Sequence, residues 1–168
     1  MPHRDVADPP RRRANKRKGK GTYDNDRPLI LSLLSRTSHE VHYSVLEHAE
    51  KPTTRTIVEG NVPSESTILY TDEASNYPGV HPQHASVCHC AKEWARDDDG
   101  DGVREVHCYS CEGAGTGLRT FLRPFRGVHK YYLADYVATY ETIVNAKHIT
   151  PTVVQRMCFD DRLHTQAS

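Results

Sequence analysis

The chain has 168 residues, 36% of them hydrophobic and 26% charged, which suits one domain with a modest core. No apolar run reaches the roughly 18 residues of a membrane-spanning helix, and the N-terminus lacks the apolar centre of a signal peptide, so we expect a cytoplasmic protein without a membrane partner. Five cysteines, an odd number, argue against a complete disulfide framework.

The formal net charge of zero hides an uneven distribution, because residues 1–28 carry +5 and the remaining residues carry −5. Residues 1–27 also lack hydrophobic periodicity, and their prolines and glycines oppose packing. We predict a flexible basic arm or loop over 1–27, which would either be solvated or contact phosphates without reading base sequence. Its candidate DNA-binding residues are Arg11, Arg12, Arg13, Lys16, Arg17, Lys18 and Lys20.

Two β-prone runs follow the arm, at 29–34 and 41–46, and their short connection favours an antiparallel hairpin. Residues 52–62 mix β-branched side chains with a proline suited to the first turn of a helix, which predicts a short crossover helix. Further strands are predicted at 67–71 and 85–90, with a turn at 76–79 between them.

The C-terminal half of the chain favours helices. Leu133, Val137, Tyr140 and Val144 recur at three or four residues, which is typical of one face of an amphipathic helix ending before Pro151. Together the elements predict an α/β domain over 28–159, with a mixed sheet flanked by helices, and a tail at 160–168. Ligand sites in such sheets gather where strands end.

Asp72 follows a short β-prone run and is predicted to lie where that strand ends. Its carboxylate could line a cleft, or it could simply begin a turn. Glu112 and Arg119 are seven residues apart, so a helix that begins near Cys111 would place both side chains on one face. A carboxylate near a helix N-terminus can help to hold a divalent cation, and the arginine could bind a phosphate beside it.

Five short blocks follow one another along the chain: Tyr70-Thr71-Asp72-Glu73, Glu93-Trp94-Ala95-Arg96, Val106-His107, Cys111-Glu112-Gly113 and Arg126-Gly127-Val128-His129-Lys130. In this order they resemble the bacterial insertion-sequence transposases with an ISXO-two-like DDE domain. The similarity extends from about residue 7 to residue 159 and includes the Pro/Arg segment that begins at Pro9.

The resemblance implies an RNase H-like core that cleaves and transfers DNA strands with two Mg²⁺ or Mn²⁺ ions. Two such ions about 4 Å apart can activate a water or 3′-hydroxyl and stabilise the departing oxygen. It further implies that Asp72 and Glu112 are catalytic metal ligands and that Arg119 binds DNA. The implied partners are insertion-element ends and target DNA, with assembly into a homo-oligomer and a nucleoid-associated location.

Two departures from the family pattern bear on activity. Many relatives have Asn where this chain has Tyr109, three residues before Glu112. The first catalytic Asp of the family lies on a strand before the basic segment, and none of Asp5, Asp8, Asp24 and Asp26 has such a strand around it. We therefore expect a truncated, inactive copy that lacks the first strand of the sheet, with low stability and exposed strand edges.

Two alternatives belong to other classes of protein. The basic arm could supply affinity for DNA to a nonenzymatic DNA-binding protein that competes with an intact transposase. Alternatively, a thiolate zinc site could stabilise an interaction module, with His89 and His107 beside the cysteines. Its ligands would be Cys88, Cys90, Cys108 and Cys111. Structural Zn²⁺ is the less favoured expectation, because one residue between Cys88 and Cys90 is awkward for chelation.

Overall fold

The computed structural model describes residues 23, 28–48, 50–63, 66–146 and 150–151. The predicted DNA-binding cations between Arg11 and Lys20 and the predicted tail at 160–168 lie outside the described residues. Within the described part of the chain, every helix is too short or too polar to cross a membrane.

The predicted hairpin is confirmed. Strands β1 (Leu29–Leu34) and β2 (Val41–Leu46) pair antiparallel, with Leu29 opposite Leu46 and Leu34 opposite Val41. A helix is confirmed here as α1 (Lys51–Asn61), which has Pro52 in its first turn, where the missing N–H costs no helical hydrogen bond. Its predicted crossover role is wrong in the described residues, because α1 joins β2 to a strand of a separate sheet. This helix buries Thr54 and Val58.

Strands β3 (Leu69–Asp72) and β4 (His84–Val87) pair in parallel, with Asp72 opposite Val87. The predicted strand at 85–90 is therefore too long. The chain turns after Val87 because residues 89–91 form one 3₁₀ turn, after which Lys92 adopts a left-handed conformation with φ of 59°. Glu93 fixes this turn, since its carboxylate accepts a hydrogen bond of 3.0 Å from the Cys88 N–H.

Two longer helices cover one side of the molecule, α2 (Tyr109–Leu122) and α3 (Lys130–Asn145). The predicted apolar face of α3 is confirmed, because Leu133 and Val137 are buried, and Tyr140 and Val144 pack against the same cluster. The remaining buried members of this core are Val41, Tyr43 and Leu118. Helices α2 and α3 thus pack on the hairpin.

The α/β class is confirmed, but the sheet differs from the prediction of one mixed sheet. In the described residues, the four strands form two separate pairs, antiparallel β1–β2 and parallel β3–β4. Consecutive residues of β1 and β3, rather than alternate ones, line a cleft of about 1310 Å³. Because side chains alternate across a strand, this lining means that strand edges border the cleft. The RNase H-like arrangement stays a prediction.

Candidate functional site

Asp72 is exposed at the C-terminal end of β3 and lines the cleft. Its Oδ1 accepts a hydrogen bond of 3.1 Å from the Ala74 N–H. The two interpretations of this residue are therefore compatible, since the carboxylate begins a turn and also borders the cleft. The buried neighbour Thr71, whose hydroxyl is 2.8 Å from His84 Nε2, helps to hold the strand end in place.

Glu112 lies in the first turn of α2, and Arg119 lies in the last turn. Both line the same cleft as Asp72. Thr116 connects the helix residues: its hydroxyl donates to the Glu112 carbonyl at 2.9 Å and accepts from Arg119 Nη2 at 2.9 Å. The arginine is held by a neighbour on its own helix and keeps further donors for a phosphate.

Cys108, the residue before α2, lies close to Glu112, with its Sγ 3.7 Å from Glu112 Oε1. Burial, followed by the charge of Glu112 and its hydrogen bond and then by the charge of Asp72, raises the pKa of Cys108 to about 11. Burial and then Asp72 raise the pKa of Tyr77 to about 12. The thiol and the phenol at this end of the cleft are therefore kept in their neutral forms.

Arg36 is a cleft residue that the sequence analysis did not include among the candidate site residues. Its Nη1 donates to the Glu105 carbonyl at 2.6 Å, and its Nη2 donates to the His107 carbonyl at 2.5 Å. The guanidinium also lies 4.3 Å above the centre of the Tyr70 ring. These contacts fix the segment before α2 to the hairpin. The cleft lining thus contains a second cation in addition to Arg119.

Tyr109 is the first residue of α2, and its ring stacks on His107 with centroids 5.1 Å apart. Burial, followed by the charge of Arg36, lowers the pKa of His107. The imidazole is thus kept neutral beside the arginine. These contacts order the entrance to α2 and so the position of Glu112.

His89 is a second cleft residue, which the sequence considered only beside a group of thiols. Its Nε2 lies 3.5 Å from Cys108 Sγ, and its Nδ1 lies 3.9 Å from Glu112 Oε1. The ring also packs against Trp94, with centroids 4.9 Å apart. The short 3₁₀ turn after β4 therefore carries a metal-ligating side chain to the N-terminus of α2.

The structure places the four candidate zinc thiols in separate surroundings. Cys88 and Cys90 lie together, 2.9 Å apart at sulfur, with Glu73 beside them. Cys108 faces His89 and Glu112, whereas Cys111 Sγ is 3.9 Å from the Ser32 carbonyl oxygen. Among the described residues, the three groups with ligand atoms close enough to share an ion do not combine these four cysteines.

Comparison with known proteins gives one informative relative. The chain is 28% identical over 139 residues to a protein described as an uncharacterized protein in transposable element ISH50 of Halobacterium salinarum. The alignment includes 82% of this chain and 46% of the relative, so the chain spans less than half the length of the curated protein it matches. No protein-family model and no solved structure match the chain. Similarity over most of the chain supports an origin in a transposable element.

Proposed function

We propose that this chain is a transposase-derived DNA-processing domain that binds Mg²⁺ or Mn²⁺ through Asp72 and Glu112. The observation that carries the proposal is that Asp72, Glu112 and Arg119 all line one cleft. The similarity to a protein of a transposable element supports it independently. DNA at insertion-element ends is the proposed substrate.

The chemistry of phosphodiester cleavage assigns a different role to each of these residues. Hard divalent ions prefer carboxylate oxygen, and a pair of them can both activate the attacking oxygen and stabilise the leaving one. Asp72 and Glu112 would hold the metal, while the planar guanidinium of Arg119 would bind a nonbridging phosphate oxygen pair. The basic segment from Arg11 to Lys20 would add affinity for the DNA backbone that falls with salt.

Little strand transfer is proposed for this chain by itself. A DDE site uses three acidic or amide ligands, and the resemblance matches only its second and third positions to Asp72 and Glu112. Because the ligands of such a set act as a unit, two carboxylates are expected to bind a cation far better than they catalyse. DNA binding without cleavage would then be the chain's own activity.

The first test measures Mn²⁺ binding by electron paramagnetic resonance. Asp72→Asn and Glu112→Gln should each weaken Mn²⁺ binding about tenfold or more, because each removes one negative ligand. Glu59→Gln is the control, since Glu59 is an exposed acid on α1 outside the cleft lining. Equal Mn²⁺ affinity in all three variants would contradict the metal site.

A second test uses radiolabelled element-end DNA with Mg²⁺ or Mn²⁺. Binding is expected without nicking or joining, and removal of residues 1–20 should lower both the affinity and its dependence on salt. Metal-dependent nicking that Asp72→Asn abolishes would support the transposase but overturn the proposed inactivity. Salt-dependent binding with no Mn²⁺ site would instead favour the nonenzymatic DNA-binding protein.

A further inference from the structure

His89, Cys108 and Glu112 form a compact group of three different metal-ligating side chains. One ligand atom from each residue lies within 4.8 Å of the other two. The His89 Nε2 to Cys108 Sγ distance is 3.5 Å, and the Cys108 Sγ to Glu112 Oε1 distance is 3.7 Å. The group joins the turn after β4 to the first turn of α2, so it links two parts of the chain far apart in sequence.

These distances match those around a tetrahedral zinc ion. Zinc bonds of about 2.3 Å to sulfur and about 2.0 Å to nitrogen, at the tetrahedral angle, separate the sulfur and nitrogen by about 3.5 Å. A carboxylate oxygen about 2.0–2.2 Å from the ion would lie about 3.5–3.7 Å from the same sulfur. The two distances to Cys108 Sγ therefore fit a central ion. The nearest approach of His89 to Glu112 is through Nδ1, at 3.9 Å, so the imidazole or the carboxylate must move for Nε2 to share the ion with Glu112.

The surroundings of His89 hold it ready for binding. Arg96 Nη1 donates to the Ser86 carbonyl at 3.1 Å and to the Glu93 carboxylate at 3.1 Å, while Glu93 accepts from the Cys88 N–H. Trp94 packs on the imidazole from the side. Cys108 and Glu112 are fixed relative to each other because the Glu112 N–H donates to the Cys108 carbonyl at 3.1 Å. Supporting contacts of this kind orient metal ligands.

The other two groups of ligands are less suited to a zinc ion. Asp97, Asp99 and Glu105 offer only carboxylates, and Asp97 already accepts hydrogen bonds from the N–H groups of Gly100 and Gly102. Glu73, Cys88 and Cys90 include two thiols separated by one residue, with Cys90 exposed. Of these three groups, only His89, Cys108 and Glu112 combine thiolate, imidazole and carboxylate in the wall of the cleft.

We propose that His89, Cys108 and Glu112 bind one Zn²⁺ ion, or another divalent ion that accepts thiolate, with an open fourth position toward the cleft. Thiolate and imidazole select zinc over magnesium, whereas Asp72 with Glu112 offers the oxygen ligands that magnesium prefers. Glu112 belongs to both sets. Zinc bound to His89, Cys108 and Glu112 would therefore compete for Glu112 with Mg²⁺ or Mn²⁺. This consequence rests on the proposed function.

The test titrates the metal-free, reduced full chain with Co²⁺, whose thiolate charge-transfer and tetrahedral absorption bands report the ligands, and then displaces it with Zn²⁺. We expect one Co²⁺ per chain with a thiolate band. Cys108→Ser should abolish the band, and His89→Gln should weaken binding by about tenfold or more. Cys90→Ser is the matched control, because it removes an exposed thiol from the neighbouring group and should leave the band unchanged.

Circular dichroism and one further variant distinguish loss of folding from loss of the metal site. Circular dichroism establishes that each variant folds, and Cys108→His, which replaces thiolate with imidazole, should retain Zn²⁺ binding while losing the thiolate band. A band that survives Cys108→Ser and disappears in Cys90→Ser would overturn the assignment in favour of the Cys88 group. Absence of any thiolate-bound Co²⁺ in the wild-type chain would overturn it outright.

Asp72→Asn separates this proposal from the proposed function. It should weaken Mn²⁺ binding about tenfold or more and leave the Co²⁺–thiolate band intact, so either site can fail while the other stands. In the wild-type chain, Zn²⁺ should lower the affinity for Mn²⁺, and Cys108→Ser should remove that antagonism. Mn²⁺ affinity that Zn²⁺ does not change would show that the two sites do not share Glu112.

Discussion

Asn145, near the end of α3, completes the outer edge of β2 with its side-chain amide. Its Oδ1 accepts from the Val41 N–H at 3.0 Å, and its Nδ2 donates to the Val41 carbonyl at 2.8 Å. Glu141 continues the pattern by accepting from the Tyr43 N–H at 2.7 Å. These side chains occupy the positions that a neighbouring strand would take, so they satisfy the strand's backbone groups and block pairing with another chain.

Replacing Asn145 by Ala should therefore destabilise the domain by about 1–3 kcal/mol, because it leaves a partly buried backbone N–H and C=O without partners. Urea unfolding followed by tryptophan fluorescence measures the change. Asn61→Ala is the matched control, since Asn61 makes one exposed hydrogen bond to the Ile57 carbonyl within α1. Equal losses in the two variants would show that the bond to β2 contributes nothing specific.

At the scale of elements, the packing of α2 against α3 depends on a glycine. A Cβ atom on Gly117 would overlap the Tyr140 hydroxyl, whereas one on Gly113 would meet nothing within 4 Å. The Tyr140 ring cannot turn away freely, because it packs between Phe121 and Tyr43, with centroid distances of 5.1 and 5.9 Å. Glycine lowers the helix propensity of α2 at this position, but its missing side chain lets Tyr140 of α3 pack against the α2 backbone.

Gly117→Ala should lower the free energy of unfolding by about 1–3 kcal/mol, since overpacking outweighs the gain in helix propensity. Gly113→Ala on the same helix should instead raise it by up to about 1 kcal/mol, because only the propensity changes. Thermal and urea unfolding distinguish the two signs. A stabilising Gly117→Ala would mean that Tyr140 moves at no cost.

The sequence predicted these elements where a local signal exists, and missed them where long-range contacts decide. The spacing from Leu133 to Val144 fixed α3, and Pro52 indicated the start of α1 despite the β-branched residues after it. Strand β4 ends earlier than predicted, because the Glu93 side chain bonds the Cys88 N–H and favours a turn. The division into two sheets depends on pairing between distant segments, for which no local pattern exists.

The residues of the candidate site likewise include some that a local sequence signal predicted and some that it missed. Asp72 and Glu112 were selected because each was predicted at the end of an element and lies in a block that resembles transposases; both line the cleft, and their role as metal ligands stays a prediction. Arg36 was missed because its partners Glu105 and His107 lie 69 and 71 residues away. The His89 contact with Cys108 spans 19 residues and depends on the turn that the sequence did not predict.

At the scale of the whole molecule, the cleft lies between two small sheets, and within the described residues no helix covers their facing edges in the way that α3 covers β2. Residues of β1 and β3 border it in consecutive runs, and Ile68, just before β3, is 50% exposed at its wall. Exposed edges and apolar side chains favour pairing between molecules. We therefore expect association between molecules to take place at this cleft.

Self-association through this cleft should respond to one charge placed at its wall. Ile68→Lys is expected to lower light scattering and shift the sedimentation distribution toward monomer, because a lysine opposes edge-to-edge pairing. Val103→Lys is the control: Val103 is 60% exposed, lies outside the cleft lining and gains the same charge, so it should leave association unchanged. Equal effects of the two lysines would assign the change to net charge. A wild-type chain that stays monomeric at high concentration would contradict the predicted association. Cooperative unfolding with a free energy above about 5 kcal/mol, the lower limit for ordinary domains, would contradict the predicted low stability.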